Sequence, residues 1–352
     1  MTSSSTPAER PYLRIATEEA YAPPEMISLW REHLANDTID DIGFTSLVGY
    51  FLNSPHPQPQ AVVERLQDAG ARRVADMDAA GIDHQIIALT APGTQVLDAA
   101  EGQRIAALAN DKMAQTVAEH PTRFSALAAV SYEDPDAAVA ELQRAVGELG
   151  MKGLILNSHI RGQYIDHPTF EPIIEAVADL DVPIYLHPTT PPNRMIEPFR
   201  EAGLDGAVFG FGVETGLHLL RMITSGMFDR HPNLRVVVGH LAEALPFWLS
   251  RIDYMHAKQV AAKRYEATPP LQQKPSEYFK SHIWITTSGM AWEPAIRFTR
   301  EVTGPDRVMY AMDYPYQYEV SEVEAMDGLE MSEAEKKAFF EDIAREVFRL
   351  DF

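Results

Sequence analysis

The sequence predicts a single (β/α)8 barrel over residues 1–352, a TIM barrel with a long loop or helical segment inserted after the first strand. Two observations lead to this prediction. Eight short apolar runs occur along the 352 residues, and most neighbouring runs are separated by a segment with helical periodicity. This count and alternation are typical of a closed parallel barrel rather than of an open doubly wound sheet. The length would allow two domains, but barrels of this size commonly form one.

The eight predicted strands are rich in β-branched and other apolar residues. They lie at residues 13–18, 85–90, 124–131, 153–157, 183–187, 235–240, 283–288 and 307–313. Between the strands, apolar residues at helical spacing predict helices. These helices lie near residues 63–77, 105–117, 135–150, 170–180, 216–228 and 332–350.

Two long stretches are predicted to lack regular structure. Residues 21–60 end in Ser54-Pro55-His56-Pro57-Gln58-Pro59, and alternate prolines are unfavourable in a helix interior or a central strand. Residues 189–212 are rich in Pro and Gly. A long loop in a compact domain is usually functional or disordered. Because segment 21–60 is also rich in aromatic residues, we expect it to be an ordered lid over its own or a neighbouring subunit's barrel.

Composition narrows the classes of function. The formal net charge of -21 argues against nucleic acid as a partner. The chain has no cysteine, which excludes disulfides, thiolate metal sites and a cysteine nucleophile. No apolar run approaches the length that spans a membrane, and residues 1–11 are expected to form a disordered tail without an apolar signal core. No glycine-rich nucleotide fingerprint follows the first strand. We therefore expect a cytoplasmic enzyme with a small-molecule substrate.

Five of the predicted strands end on a polar residue able to bind a metal or move a proton: Glu18, His187, His240, Ser288 and Asp313. The carboxyl ends of parallel barrel strands meet at one mouth, where active sites are built. Most histidines in a protein are structural, but a histidine at the end of a barrel strand more often has a function. Carboxylate and imidazole ligands suit divalent ions. The absence of a His-x-His on the first strand and of a lysine after the fourth favours one metal ion over two.

Several positions remain open on the residues alone. Strand alternation at the end of the first strand does not decide between Glu18 and Glu19. Glu243 lies three residues after His240, where it could fix the imidazole or simply favour the start of a helix. Arg251 and His218 fall on predicted helices and could face the site or lie elsewhere; Arg251 would suit a substrate carboxylate.

Several stretches of this sequence resemble the amidohydrolase superfamily, and within it the amidohydrolase-related non-oxidative aromatic decarboxylases. They include Thr17-Glu18-Glu19-Ala20, Leu186-His187-Pro188, Gly239-His240-Leu241-Ala242-Glu243 and Asp313-Tyr314-Pro315. Shorter matches occur at residues 91–95, 152–153, 228–232 and 284–289. Because the matches extend over nearly the whole chain, the resemblance is specific. Residues 209–216 and 309–318 look most like the branch of this family that acts on 5-carboxyvanillate.

The resemblance implies a carboxy-lyase of aromatic catabolism, including lignin degradation, with one divalent metal ion, manganese or zinc. The metal would be held by Glu18, His187 and Asp313, which resolves the choice in favour of the first glutamate. His240 and Glu243 are implied as a catalytic pair, and Asp313 is our candidate for the acid that protonates the substrate ring, with His240 as the alternative. Residues implied near the substrate are Thr90, Phe211, His218 and Arg251.

The expected reaction is decarboxylation of a 2-hydroxybenzoate, with 5-carboxyvanillate as the first candidate substrate and vanillate as its product. The alternatives are a 2,3- or 2,6-dihydroxybenzoate decarboxylase and a metal-dependent lactone or amide hydrolase. One departure from the family bears on the substrate: Gln58 stands near the place where we expect an arginine in vanillate-type relatives. We also expect a homodimer or homotetramer.

Overall fold

Eight parallel strands form a closed barrel in the computed structural model, which describes residues 10–266 and 268–352. The strands are β1 (Ile15–Tyr21), β2 (His84–Leu89), β3 (Phe124–Ala126), β4 (Leu154–Leu156), β5 (Ile184–Leu186), β6 (Val236–Val238), β7 (Ile283–Thr286) and β8 (Val308–Met309). Neighbouring strands pair in parallel within two runs, β1–β3 and β4–β8. Every residue of β1 and β2 is buried, as expected for strands covered on both faces.

Two seams join the two runs of strands into a ring. At one seam, Ala128 forms a parallel bridge with Leu154. At the other, the Ala20 N–H donates to the Tyr314 carbonyl over 2.7 Å. The predicted (β/α)8 barrel is therefore confirmed, and the ends of β1 and β8 lie side by side at its mouth.

Helices surround the barrel and cover its outer face. They are α1 (Pro24–Asn36), α2 (Gly49–Asn53), α3 (Pro57–Leu66), α4 (Ala71–Ala80), α5 (Ala99–Glu119), α6 (Pro135–Gly147), α7 (Glu171–Asp179), α8 (Asn193–Glu201), α9 (Gly210–Thr224), α10 (Met227–Arg230), α11 (His240–Glu243), α12 (Leu245–Ala261), α13 (Pro275–His282), α14 (Glu293–Thr303), α15 (Val320–Asp327), α16 (Glu333–Lys337) and α17 (Ile343–Phe348). Short π-helical segments occur at Phe44–Val48 and Ala338–Asp342, and 3-10 turns at Pro168–Phe170 and Pro305–Arg307. The predicted last helix is thus present, with a π-helical segment inside it. No helix among the described residues is long and apolar enough to cross a membrane.

The prediction that residues 21–60 and 189–212 lack regular structure is wrong. Pro57 is the first residue of α3 and Pro59 lies in its first turn. The first-turn N–H groups of a helix have no partner within the helix, so prolines there remove no hydrogen bond. Likewise Pro192 directly precedes α8 in an extended conformation. In both stretches a proline marks the start of a helix rather than its absence, and Pro198 lies inside α8.

The segment between β1 and β2 is packed rather than loose. Trp30 of α1 is 2% exposed and meets Phe44 edge to face, with ring centroids 6.2 Å apart. Of the predicted tail 1–11, residues 1–9 lie outside the described residues. Arg10, which the structure describes, forms a salt bridge of 3.0 Å with Asp83, so the boundary of any tail lies before it.

We predict that His84, at the start of β2, makes stability depend on pH. Its ring is fully buried between the Thr122 carbonyl and the Ser125 hydroxyl, at 3.0 Å from each, and burial lowers its pKa to about 4. The ordinary pKa of histidine is 6.5. Below this pH the unfolded chain binds a proton that the folded ring does not bind, so the free energy of unfolding decreases as the pH falls from 6.5 towards 4.

Urea unfolding of the wild type and of His84→Gln at pH 7 and pH 5 tests this prediction. The wild type should lose about 2 kcal/mol more than the variant over this interval. The exposed His56 supplies the control variant His56→Gln, which should follow the wild type. Equal pH slopes in the wild type and His84→Gln would contradict the assignment.

Candidate active site

A buried carboxylate, Glu18, lies at the centre of the barrel mouth. The register of β1 against β2 shifts between Ala16 and Glu19, so both glutamates are buried but make different contacts. The Glu18 Oε2 atom accepts hydrogen bonds from the hydroxyls of Tyr185 and Thr286, the latter over 3.0 Å. Its Oε1 atom is buried without a hydrogen-bond donor among the described residues. An oxygen left in this way is available to a positive group.

Three donor groups face a common point. His187 Nδ1 lies 2.8 Å from the Pro188 carbonyl, which places the ring proton there and leaves Nε2 free 3.6 Å from Glu18 Oε1. Ligand atoms of Glu18, His187 and Asp313 all lie within 4.8 Å of one another. This separation is close to that of ligand atoms bound to one metal ion. A carboxylate oxygen without a hydrogen-bond partner and a free imidazole nitrogen form a ligand set that suits Mn²⁺ or Zn²⁺.

His240 and Glu243 lie on a turn of left-handed helix that directly follows β6. The five residues from His240 to Ala244 all have φ between 51° and 61°, a conformation that costs roughly 1–2 kcal/mol per residue outside glycine. The right-handed helix α12 begins only after this turn, at Leu245. The turn is held because Leu241 and Ala242 are buried and the Ala242 N–H donates to Gly239 over 2.8 Å.

The turn brings the predicted pair together. Glu243 Oε1 lies 3.2 Å from His240 Nδ1, an ion-pair contact without the alignment of a regular hydrogen bond. On its other side His240 Nε2 lies 3.8 Å from Glu18 Oε1. His240 therefore connects the metal-binding group to Glu243.

The two site histidines are driven to opposite charge states. Burial lowers the pKa of His187, and although Glu18 opposes this, the net direction is down. Burial also disfavours the protonated form of His240, but Glu18, Glu243 and Asp313 outweigh it and raise its pKa to about 10. His187 is thus neutral, as a metal ligand must be, and His240 carries a proton. Burial raises the pKa of the Asp313 carboxyl, against the opposing effect of His240.

Glu19 holds the segment that carries Asp313. Its carboxylate accepts from the backbone N–H groups of Met312 and Tyr314, over 3.1 and 3.2 Å, and from the Gln85 amide over 3.3 Å. These bonds fall on either side of Asp313, whose φ of 70° is unusual outside glycine. Burial raises the pKa of Glu19 to about 8.

Sequence reasoning treated Glu19 only as a competitor of Glu18, and it missed Tyr185 and Thr286 altogether. A signal for the two hydroxyl residues was present. Tyr185 precedes His187 by two positions, and Thr286 precedes Ser288 by two. Because side chains alternate along a strand, residues two apart share a face. The residues two positions before a polar residue at a strand end were therefore candidates to contact the site.

A cavity of about 250 Å³ opens above these groups. Its walls are Leu47, Phe51, Thr90, Ala91, His187, Pro188, Ala207, Phe211, His240, Asp313, Tyr316 and Gln317. The volume lies just below the range of drug-sized sites, which suits an acid with a single ring. Leu47 and Phe51 come from the segment inserted after β1. Thr90 and Phe211, which the resemblance implied near the substrate, are among these lining residues, and the Thr90 hydroxyl lies 2.7 Å from that of Tyr316.

The structure does not place His218 or Arg251 on this cavity. The His218 ring is fully buried in α9, with Nδ1 3.1 Å from the Ser158 hydroxyl and Nε2 accepting the Ile165 N–H over 3.1 Å. Both nitrogens are therefore used by the fold. Arg251 lies on the exposed face of α12, because the buried face of that helix is formed by Leu245 and Leu249. Gln58 is also exposed.

Comparison with known proteins places this site in a family. The family model described as "Amidohydrolase" matches residues 51–350, and the chain belongs to this family. It is 34% identical, over 96% of its length and 98% of the relative, to the gamma-resorcylate decarboxylase of Rhizobium sp. strain MTP-10005.

Solved structures give closer detail. The 5-carboxyvanillate decarboxylase of Novosphingobium aromaticivorans, complexed with manganese and 4-hydroxy-3-methoxy-5-nitrobenzoic acid, is 50% identical with a TM-score of 0.96 over 98% of both chains. The dihydroxybenzoic acid decarboxylase of Polaromonas sp. JS666, with manganese and 2-nitroresorcinol, is 32% identical with a TM-score of 0.82 over 96% of this chain and 97% of that one. The predicted class is confirmed: a metal-dependent carboxy-lyase acting on aromatic acids.

We predict that metal affinity follows the contacts around Glu18. His187→Ala removes a ligand and should nearly abolish Mn²⁺ binding, whereas Tyr185→Phe removes only a donor to the ligand and should weaken binding by about 10–100-fold. Calorimetric titration of Mn²⁺ into chelator-treated protein, with elemental analysis, measures both. The exposed His56 provides the control His56→Ala, which should bind as the wild type does. Unchanged affinity in His187→Ala would contradict the assigned ligand set.

Proposed function

We propose that this protein removes the carboxylate of a 2-hydroxybenzoate without oxidation, and that 5-carboxyvanillate is its substrate and vanillate its product. The observation that supports the proposal most is a cavity of single-ring size lined by His187 and Asp313, the two residues that approach Glu18, in a chain that is 50% identical to a 5-carboxyvanillate decarboxylase. We propose these three residues as the metal ligands, with Mn²⁺ as the ion.

The chemical difficulty of the reaction is where the electrons of the broken bond go. Loss of carbon dioxide directly from the ring would leave an aryl anion. If the ring carbon that bears the carboxylate is protonated first, the ring becomes a dienone and can accept that electron pair. A divalent metal, when bound, acts as a Lewis acid that favours an ionised phenol and carboxylate on the substrate.

The chain itself must supply the proton. We propose Asp313 as the acid, because it lines the cavity together with His187 and His240. In the scheme the Asp313 proton goes to the ring carbon, the carbon–carbon bond breaks, its electron pair returns to the ring, and carbon dioxide leaves. His240, held by Glu243 and positively charged, would orient the substrate by charge; it is the alternative proton donor.

Phe211 and Tyr316 would orient the substrate ring. Both line the cavity near Asp313. The Tyr316 ring is held by its hydroxyl contact with Thr90 and by an edge-to-face contact with Phe51, centroids 5.4 Å apart. Flat aromatic walls restrict an aromatic acid to one plane, which is the condition for the proton to reach one face of one ring carbon.

One observation favours a different substrate. 5-Carboxyvanillate has a second carboxylate, yet no arginine or lysine is among the described residues that line the cavity. A dihydroxybenzoate has only one carboxylate and would need no further cation. We therefore keep 2,6- and 2,3-dihydroxybenzoate as the second candidates. Gln58, near the place where an arginine was expected, is exposed and is not among the residues that line the cavity.

We predict that the product made in heavy water carries one deuterium at the carbon that held the carboxylate. The purified protein is supplied with Mn²⁺ and incubated in turn with 5-carboxyvanillate and the dihydroxybenzoates, and products are read by NMR and mass spectrometry. Carbon dioxide release from a dihydroxybenzoate alone would move the assignment to the second candidate. A ring-opened or hydrolysed product, or a product without deuterium there, would reject the reaction.

The acid can be tested by one substitution. Asp313→Asn cannot deliver a proton, so kcat should fall by at least about 10³-fold while bound Mn²⁺ is verified by elemental analysis. Asp306, an exposed aspartate just before β8, gives the control Asp306→Asn, which should keep the wild-type rate. If Asp313→Asn with metal bound turns over normally, another group is the acid.

We further propose that the protein forms a homodimer or homotetramer through an aromatic patch composed of Phe247, Trp248 and Phe298. Phe247 is 70% exposed and Trp248 49%, and Phe247 lies 5.6 Å from Trp248 and 6.2 Å from Phe298 between ring centroids. Exposed aromatic clusters of this kind are typical of the cores of subunit interfaces.

Light scattering after size exclusion measures the assembly. We predict a mass of two or four 39.3 kDa chains, and a shift towards the monomer in Phe247→Arg because an unpaired charge cannot be buried in an interface. Val320→Arg, at a partly exposed position on α15, serves as the control and should leave the mass unchanged. A wild-type monomer at micromolar concentration would exclude this interface.

A further inference from the structure

The first turn of α9 lies between the cavity and the Glu243 side chain. Phe211 in this turn lines the cavity, and the next residue, Gly212, lies against the carboxylate of Glu243. A Cβ atom on Gly212 would lie 2.8 Å from Glu243 Oε2 and 3.8 Å from its Cδ. Outside its own helix and its chain neighbours, no other described residue comes within 4 Å of that point. The space beside Gly212 is thus occupied by one functional group.

A second glycine on the same face of the helix differs in this respect. Gly216 lies one turn further along α9, and a Cβ there would lie 3.7 Å from Glu243 Cβ and 3.9 Å from Leu245. These are ordinary van der Waals separations. A methyl group is therefore tolerated at Gly216, whereas at Gly212 it would collide with the carboxylate of Glu243.

The carboxylate cannot keep its contact with His240 if it moves. Its other oxygen, Oε1, lies 3.2 Å from His240 Nδ1, so a rotation that clears Oε2 from Gly212 also displaces Oε1. The backbone of Glu243 cannot retreat instead, because the left-handed turn is fixed by the buried Leu241 and Ala242. The carboxylate at the end of the Glu243 side chain is the most mobile group in this contact, so it is the group that would move.

The position on α9 also suits a negative charge. Gly212 belongs to the first turn of a 15-residue helix, where the helix dipole favours an anion. The Glu243 carboxylate thus lies between a helix start on one side and the His240 ring on the other. Removing it from this position would weaken both interactions together.

We propose that Gly212 is a positioning residue of the reaction: the absence of a side chain there leaves the space from which the Glu243 carboxylate reaches the His240 ring. The proposal rests on the proposed role of the His240–Glu243 pair. It adds a requirement to that pair: position 212 must have no side chain, because a Cβ atom there would occupy the space of the Glu243 carboxylate. Gly212 does not need to touch the substrate for its replacement to slow the reaction.

The test compares two substitutions on one helix face. Gly212→Ala should lower kcat by at least about tenfold with KM and bound Mn²⁺ little changed, since a small displacement of a catalytic group costs this much or more. Gly216→Ala should stay within about twofold of the wild type. Both variants should keep the thermal unfolding temperature of the wild type, because the atom that yields is the end of a flexible side chain.

Two further measurements assign the effect to Glu243. In a Glu243→Asp background the shorter side chain withdraws from Gly212, so Gly212→Ala should change kcat by less than about twofold, a non-additive result. Crystal structures of both alanine variants should show His240 Nδ1 and Glu243 Oε1 separated by more than about 4 Å in Gly212→Ala alone, beyond ion-pair distance.

The outcomes separate this proposal from the proposed function. An unmoved Glu243 carboxylate in the Gly212→Ala crystal, or an equal loss of kcat in both backgrounds, would overturn the role of Gly212 while leaving the decarboxylase intact. If the carboxylate moves and kcat of the decarboxylation is unchanged, the proposal is overturned because the pair does not need that contact. The crystal structures of the variants need no substrate, so they test the position of the Glu243 carboxylate even if the substrate is another acid.

Discussion

The site depends on a single buried carboxylate. Glu18 is 5% exposed, and an ionised group at that depth is costly unless it is paired and hydrogen-bonded. Tyr185 and Thr286 donate to one oxygen, and the ring of His187 faces the other. Gly239 lies so close that a Cβ there would collide with the carboxylate. Because these contacts come from β5, β6 and β7, the site exists only when the barrel is closed in this register.

Two buried histidines, His187 and His240, lie beside this carboxylate and differ in charge. His187 is neutral and points a free nitrogen at Glu18, which suits a metal ligand. His240 has a second carboxylate, Glu243, on its far side, and the added negative charge reverses the effect of burial. A neutral and a charged imidazole therefore face the same Glu18 oxygen, at 3.6 and 3.8 Å, because only His240 has a second carboxylate beside it. In the proposed function, His187 holds the metal ion and His240 attracts the anionic substrate.

Backbone strain is concentrated where these groups are presented. The left-handed turn from His240 to Ala244 and the positive φ of Asp313 both lie at carboxyl ends of barrel strands. Such conformations persist only when the surroundings over-determine them. Here the buried Leu241 and Ala242 hold the first, and the Glu19 carboxylate holds the second through two backbone hydrogen bonds. The rigid barrel supplies the packing that these local conformations need.

The sequence by itself determined the barrel and the acidic and histidine residues at its mouth, because apolar runs at regular intervals and polar residues at their ends can be recognised without knowledge of packing. It predicted Glu18, His187, His240 and Asp313 as neighbours, since parallel strands end at one face. Glu18 was preferred over Glu19 only through a family resemblance. Alternation could not choose, because the register shift in β1 depends on pairing with β2.

Tertiary structure decided which way the side chains of the helices face, because local sequence patterns do not specify it. A helical pattern gives the spacing of residues but not the rotation of the helix against its neighbours, so only packing turned His218 into the core and Arg251 outward. Left-handed residues from His240 onward carry no sequence signal when none is glycine. The missing side chain of Gly212 acquires a meaning only beside Glu243, 31 positions later, because steric fit is a property of two surfaces that the fold alone brings together.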